Sequence, residues 1–156
     1  MARDILIVDD EADIRELIGG LLEDDGYAPR EAADADGALA AIQARKPSLI
    51  ILDVWLQGSR LDGLELLEEF KRIDENLPVI VISGHGTIET AVGAIRKGAY
   101  DFLEKPFKSD KLLLTVTRAL ENSRLRQENA ELRARTEVQS TLIGNSSGIV
   151  QVRQLV

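Results

Sequence analysis

Four short apolar runs end on a polar residue and are spread over about a hundred positions of the chain. They are Ile5-Leu6-Ile7-Val8 before Asp9-Asp10, Leu49-Ile50-Ile51-Leu52 before Asp53, Val79-Ile80-Val81-Ile82 before Ser83, and Phe102-Leu103 shortly before Lys105-Pro106. Continuous apolar runs of this length read as strands buried on both faces, and between them lie stretches with helical periodicity. Ile14, Leu17, Ile18, Leu21 and Leu22 fall on one face of a first helix, closed by Gly26. A weak strand covers Tyr27 to Ala32, and Ala38, Leu39 and Ile42 mark a second helix. A third helix with Leu64, Leu67, Phe70 and Lys71 begins after Gly63, and a fourth spans Thr87 to Lys97 with Ile88, Ala91, Val92 and Ile95. Pro78 opens the fourth strand, Tyr100 to Leu103 form the fifth, and a fifth helix starts after Ser109. Five strand-helix repeats predict an α/β fold, a doubly wound parallel sheet with helices on both faces.

In such a sheet the carboxyl ends of the strands share one edge, where ligands bind. The fold therefore brings Asp9, Asp10, Asp53, Ser83 and Lys105 to one place. Three carboxylates crowded together repel, and one of them tends to take up a proton unless a cation compensates. Oxygen-only ligands suit magnesium, which is often held by one or two carboxylates plus phosphate. Asp53 is then a candidate nucleophile, because a carboxylate can attack phosphorus to give an aspartyl phosphate. Lys105 supplies positive charge, Ser83 can hydrogen-bond a phosphoryl oxygen, and an X-Pro bond such as Lys105-Pro106 can be cis. The bland readings are that Asp9-Asp10 merely caps the first helix, that Ser83 is a loop hydroxyl before Gly84-His85-Gly86, and that Lys105 lies on the surface. The convergence of all the signals on matching strand ends favours the site.

Composition narrows the class further. The chain has no cysteine, so it has no disulfide framework and no thiolate site. Its formal charge of −8 argues against nucleic-acid contact by this segment. No apolar run is long enough to span a membrane and no signal peptide is recognisable, so a cytoplasmic location is expected. From Lys111 to about Thr136 there is neither Gly nor Pro, and Asn122, Leu125, Asn129 and Leu132 make two heptads with Asn at a. The expected organisation is a domain over 1–121, a helical linker or short coiled coil over 122–141, and, from the Gly/Ser-rich turn at 142–156, the start of a further domain.

The motifs Val8-Asp9-Asp10-Glu11, Leu52-Asp53, Ser83-Gly84 and Lys105-Pro106-Phe107 resemble those of the receiver domain of bacterial two-component response regulators, across roughly residues 4 to 121. The resemblance implies a flavodoxin-like (CheY-like) five-stranded fold and phosphorylation of Asp53 by the phosphohistidine of a partner kinase. It implies direct magnesium binding by Asp10, Asp53 and the Trp55 carbonyl, with Asp9 acting through water. It also implies a coupled switch of Ser83 and Phe102. The loop from Asp53 to Gly63 lacks the usual proline and is longer than the common receiver loop. With Ser83-Gly84-His85-Gly86 and the run from Gly98 to Pro106, it is similar to the NtrX group of nitrogen-regulation proteins. In that group a receiver precedes an AAA+ ATPase acting on sigma-54 polymerase and a helix-turn-helix, and Leu142-Ile143-Gly144-Asn145-Ser146 resembles the start of the ATPase. The implied partners are an NtrY-like sensor kinase and a second copy, paired through the fourth-helix to fifth-helix face and the linker.

Trp55 and His85 flank the nucleophile and Ser83 at positions that tune dephosphorylation in receivers. Trp55 either shields the acyl phosphate or packs on its loop, and His85 is either a tuner or an exposed loop residue. Asp101 and Arg118 either pair across a dimer or stay solvated. A haloacid-dehalogenase-type enzyme is disfavoured because Trp55 stands where such enzymes carry a second Asp. A pseudo-receiver that works without phosphorylation is the remaining alternative.

Overall fold

The computed structural model describes residues 3–54, 63–84 and 88–125. Strands and helices alternate as β1 (Asp4–Val8), α1 (Ala12–Asp24), β2 (Ala28–Ala32), α2 (Ala35–Ala44), β3 (Leu49–Asp53), α3 (Gly63–Ile73), β4 (Val79–Ser83), α4 (Ile88–Arg96) and β5 (Asp101–Glu104), followed by α5 (109–125). The sheet runs β2-β1-β3-β4-β5, and every neighbouring pair is parallel. The expected five-stranded, doubly wound flavodoxin-like architecture is the one the chain adopts.

Strand side chains alternate between faces with a period of two, and this sorts the apolar residues into two cores. Leu6, Val8, Ile50, Leu52, Val79 and Val81 pack with α2, α3 and Ala94 of α4. Ile5, Ile7, Leu49, Ile51, Ile80 and Ile82 pack with Ile18 and Leu22 of α1 and with Leu112, Val116 and Ala119 of α5. β3 and β4, in the middle of the sheet, are buried at every residue, which is why they read as unbroken apolar runs. β2 is an edge strand. Its Pro29 suits that position, because proline has no N–H to donate and an edge strand leaves one side without a ladder.

Two helices expose residues that periodicity alone assigns inward. In α1 the buried residues are Ile18, Gly19 and Leu22, while Leu17 is 54% exposed. In α4 the buried residue is Ala94, whereas Ile88 (84%), Val92 (43%) and Ile95 (47%) face out. Compactness separates Met1–Ser123 from Arg124–Val156. Of the expected linker over 122–141, only residues 122–125 are described. The rest of it, and the expected further domain at 142–156, lie outside the described residues. Among the described residues no helix is long and apolar enough to cross a membrane.

α3 starts at Gly63 itself, pressed against the end of β3. Gly63 N donates to Val54 O at 3.1 Å. A Cβ at this position would lie 2.1 Å from Val54 Cα and 2.7 Å from Asp53 O. Both neighbours are backbone, so nothing can swing aside. Gly63→Ala is expected to destabilise the domain by about 1–3 kcal/mol or more, the range of an overpacked core. Gly20, in mid-α1, has nothing within 4 Å of its missing Cβ, and Gly20→Ala is expected to stabilise by about 0.5–1 kcal/mol. Urea midpoints should therefore move in opposite directions for the two variants.

Candidate functional site

The carboxyl-end edge of the sheet gathers the polar signals of the sequence. Asp9 and Asp10 follow β1, Asp53 closes β3, Ser83 closes β4, and Lys105 follows β5. Asp9 (0% exposed), Asp53 (2%) and Ser83 (0%) are buried in an otherwise apolar setting. Lys105 reaches across the edge, its Nζ 3.0 Å from both Asp9 Oδ2 and Asp53 Oδ2 and 3.6 Å from Glu11 Oε1. Register brings the rest into line. Asp53 pairs with Ile82, Ser83 pairs with Glu104, and Lys105 N donates to Ser83 O at 2.9 Å. The Lys105-Pro106 bond is cis. Lys105 is thus no surface lysine, and Ser83 is not a loop hydroxyl.

Asp9 is not spent on capping α1. The N-cap residue is Glu11, and Asp9 Oδ1 accepts from Glu11 N at 2.9 Å. Carboxylate oxygens of Asp9, Asp10, Glu11 and Asp53 lie within 4.8 Å of one another. Four hard oxygen donors at this spacing fit a divalent cation of the magnesium or calcium kind and give no soft ligand for zinc or copper. Burial dominates the titration of Asp9. It pushes the carboxyl from 3.8 up to about 6, with the Asp53 charge adding to the rise, against the pull of the Glu11 backbone bond and of Lys105. Burial also works against the Lys105 ammonium, but its bonds to Asp53 and Asp9 outweigh this and hold it above its usual range.

Phe102 lies on β5, partly buried against the core shared by α2, α3 and α4, and pairs in register with Val81. Trp55 and His85 lie outside the described residues. Three residues near the site carried no role in the sequence reading: Glu11, Arg15 and Glu31. Arg15 Nη1 donates to Asp9 O at 2.6 Å, and Arg15 Nε donates to Glu31 Oε1 at 3.0 Å. A signal for Arg15 does exist. It stands three, four and seven residues before Ile18, Gly19 and Leu22, on the buried face of α1.

An acidic pocket bridged by Lys105 thus lies at the carboxyl edge of a five-stranded parallel sheet. Residues 5–117 match the model of the response regulator receiver domain, and the chain belongs to that family. It is a receiver of NtrX/NtrC type. It is 61% identical over 156 residues to the nitrogen assimilation regulatory protein NtrX of Azorhizobium caulinodans, covering 100% of this chain and 34% of that protein. A crystal structure of the receiver domain of NtrX from Brucella abortus is 65% identical, with a TM-score of 0.74 over 76% of this chain and 98% of that one. The solution structure of the beryllofluoride-activated NtrC4 receiver domain dimer is 41% identical, with a TM-score of 0.72 over 77% of this chain and 98% of that one. The chain spans about a third of the length of the curated NtrX protein it matches.

The raised carboxyl of Asp9 has a consequence for the metal-free protein. A group whose pKa is higher folded than unfolded gives stability that is complete below the unfolded value and lost as pH rises through the folded one. For Asp9 that window runs from 3.8 to about 6. Asp74 is lowered below 3.8 despite partial burial, through its bonds to Lys46 and Asn76, so its slope has the opposite sign and lies below that window. Asp9→Asn is therefore expected to flatten the fall in stability between pH 4 and 6 and to raise stability at pH 7 by about 1–3 kcal/mol. Urea midpoints measured across pH with a chelator present check this.

Proposed function

We propose that the domain is a phosphoacceptor switch in which Asp53 takes a phosphoryl group from the phosphohistidine of a sensor kinase. The observation that carries this reading is the placement of Lys105 Nζ at 3.0 Å from both Asp9 and Asp53, with buried Ser83 at the end of the neighbouring strand. An Asp53 carboxylate oxygen forms the new bond to phosphorus as the donor's N–P bond breaks. Lys105 neutralises charge on the phosphoryl oxygens, and Ser83 donates a hydrogen bond to one of them. Asp10, Asp53 and the Trp55 carbonyl would hold magnesium, with Asp9 acting through water. When bound, the ion supplies charge neutralisation for the transfer.

Movement of Ser83 toward the phosphoryl group opens space into which Phe102 turns. This alters the face made by α4, β5 and α5. The outward Ile88, Val92 and Ile95 of α4, with Leu114 of α5 (50% exposed), support pairing of two copies through that face, as does the similarity to the NtrC4 receiver dimer. Moving such an equilibrium from 1:99 to 99:1 takes about 5.5 kcal/mol of differential stabilisation. Trp55 and His85 tune the lifetime of the phosphate. On the resemblance to NtrX, the kinase is NtrY-like, and the switch governs a sigma-54-type transcription activator in nitrogen regulation through a AAA+ domain that follows the linker.

Intact mass after incubation with magnesium and acetyl phosphate tests the central step. One phosphate adduct is expected, dependent on magnesium and absent from Asp53→Asn. No adduct under conditions that label a control receiver would favour an interaction module that works without phosphorylation.

A further inference from the structure

We infer that Arg15, held by Glu31, is a positioning residue that fixes the acidic loop and thereby the carboxylates of the site, a role that rests on the magnesium-dependent reading proposed above. The loop from Asp9 to Glu11 carries three consecutive carboxylates on backbone that belongs to neither β1 nor α1. Mutual repulsion would drive such a segment apart, yet it is tied at four points. Asp9 N donates to Ala32 O at 3.1 Å, and Glu11 N donates to Asp9 Oδ1 at 2.9 Å. Arg15 N donates to Glu11 O at 3.1 Å, and Arg15 Nη1 donates to Asp9 O at 2.6 Å. The last is short and charge-assisted, the stronger class of hydrogen bond.

The guanidinium is itself set in place. Its side chain is only 17% exposed, and its Nε is bonded to Glu31 Oε1 at 3.0 Å. Glu31 pairs in register with Ile7, one step before Ala32, whose carbonyl receives the Asp9 amide. The edge strand β2 therefore holds the acidic loop twice, once directly and once through the Glu31-Arg15 pair. Two parts of the chain are needed for this, since α1 supplies the arginine and β2 its orienting carboxylate. Groups that orient a metal ligand without touching the ion typically change metal affinity or activity by about 10–100-fold when removed.

Charge alone predicts a different pattern. Removing a nearby cation should tighten magnesium binding, and removing a nearby anion should weaken it. Positioning predicts that both losses weaken binding. It further predicts that Glu31 acts only through Arg15, so that the double variant is no worse than Arg15→Ala alone.

Calorimetric titration with magnesium, alongside urea unfolding in a chelator, separates these cases for the wild type, Arg15→Ala, Arg15→Lys, Glu31→Ala and the double variant. The expected result is magnesium binding weakened about tenfold or more by Arg15→Ala, a smaller loss for Glu31→Ala, a double variant equal to Arg15→Ala, and partial rescue by Arg15→Lys. Unchanged or tighter binding by a folded Arg15→Ala would overturn the inference, as would additive losses in the double variant. If the wild type itself takes no magnesium while its fold is intact, the reading of the site fails first and this role falls with it.

Discussion

Repulsion within an acidic cluster, two of whose members are buried, is the constraint around which the domain is built. Asp9, Asp10, Glu11 and Asp53 crowd one end of a sheet whose interior is otherwise Ile, Leu and Val. Such a cluster persists only where surrounding structure over-determines it. Lys105 answers the charge, while the bond that Asp9 N donates to Ala32 O and those donated by Glu11 N and Arg15 hold the backbone that carries it. The rise of Asp9 to about 6 is the trace of its burial, aided by the Asp53 charge, which together outweigh the bonds from Glu11 and Lys105. A divalent cation would relieve the same repulsion, which is why the acidic cluster fits the magnesium-dependent reading proposed above.

The two sides of the sheet are packed more firmly than α4 is. The two cores take in the apolar residues of β3 and β4, from Leu49 to Leu52 and from Val79 to Ile82, and bury large side chains completely, Phe70 and Leu66 among them. α4 is the contrasting element, with Ala94 buried and three apolar side chains turned outward. Just past its end, Lys97 forms an exposed ion pair with Glu68 of α3, a kind of contact worth little by itself. On the proposed reading, α4 lies beside the strand that carries Phe102 and would be the element that answers a change at Ser83.

Much of the fold was legible because buried parallel strands leave an unmistakable mark. Ile50 to Leu52 and Val79 to Ile82 have no polar residue to break the run, and Asp53 and Ser83 stand out where each run stops. Boundaries shifted by a residue or so: β2 begins at Ala28, β5 runs from Asp101 to Glu104, and α3 opens at Gly63. At Gly63 the cause is tertiary, since the missing side chain is a response to Val54 and the Asp53 carbonyl next to it. The site was legible in its residue types and less so in its support. Glu31 shows no sign of its task in a weak edge strand, because the residue it orients lies sixteen positions away on another element.

By itself the sequence determined the alternation of strands and helices, the two-sided burial of the sheet and the polar residues at the ends of β1, β3, β4 and β5. These follow from local period and from which side chains can leave water. Only the tertiary structure decided which side of each helix meets the sheet, turning Leu17 and the Ile88-Val92-Ile95 stripe outward. It alone set Lys105 between two carboxylates and Arg15 beneath the acidic loop. Periodicity states which residues share a face. What covers that face depends on parts of the chain far away in sequence, and those meet only when the sheet is complete.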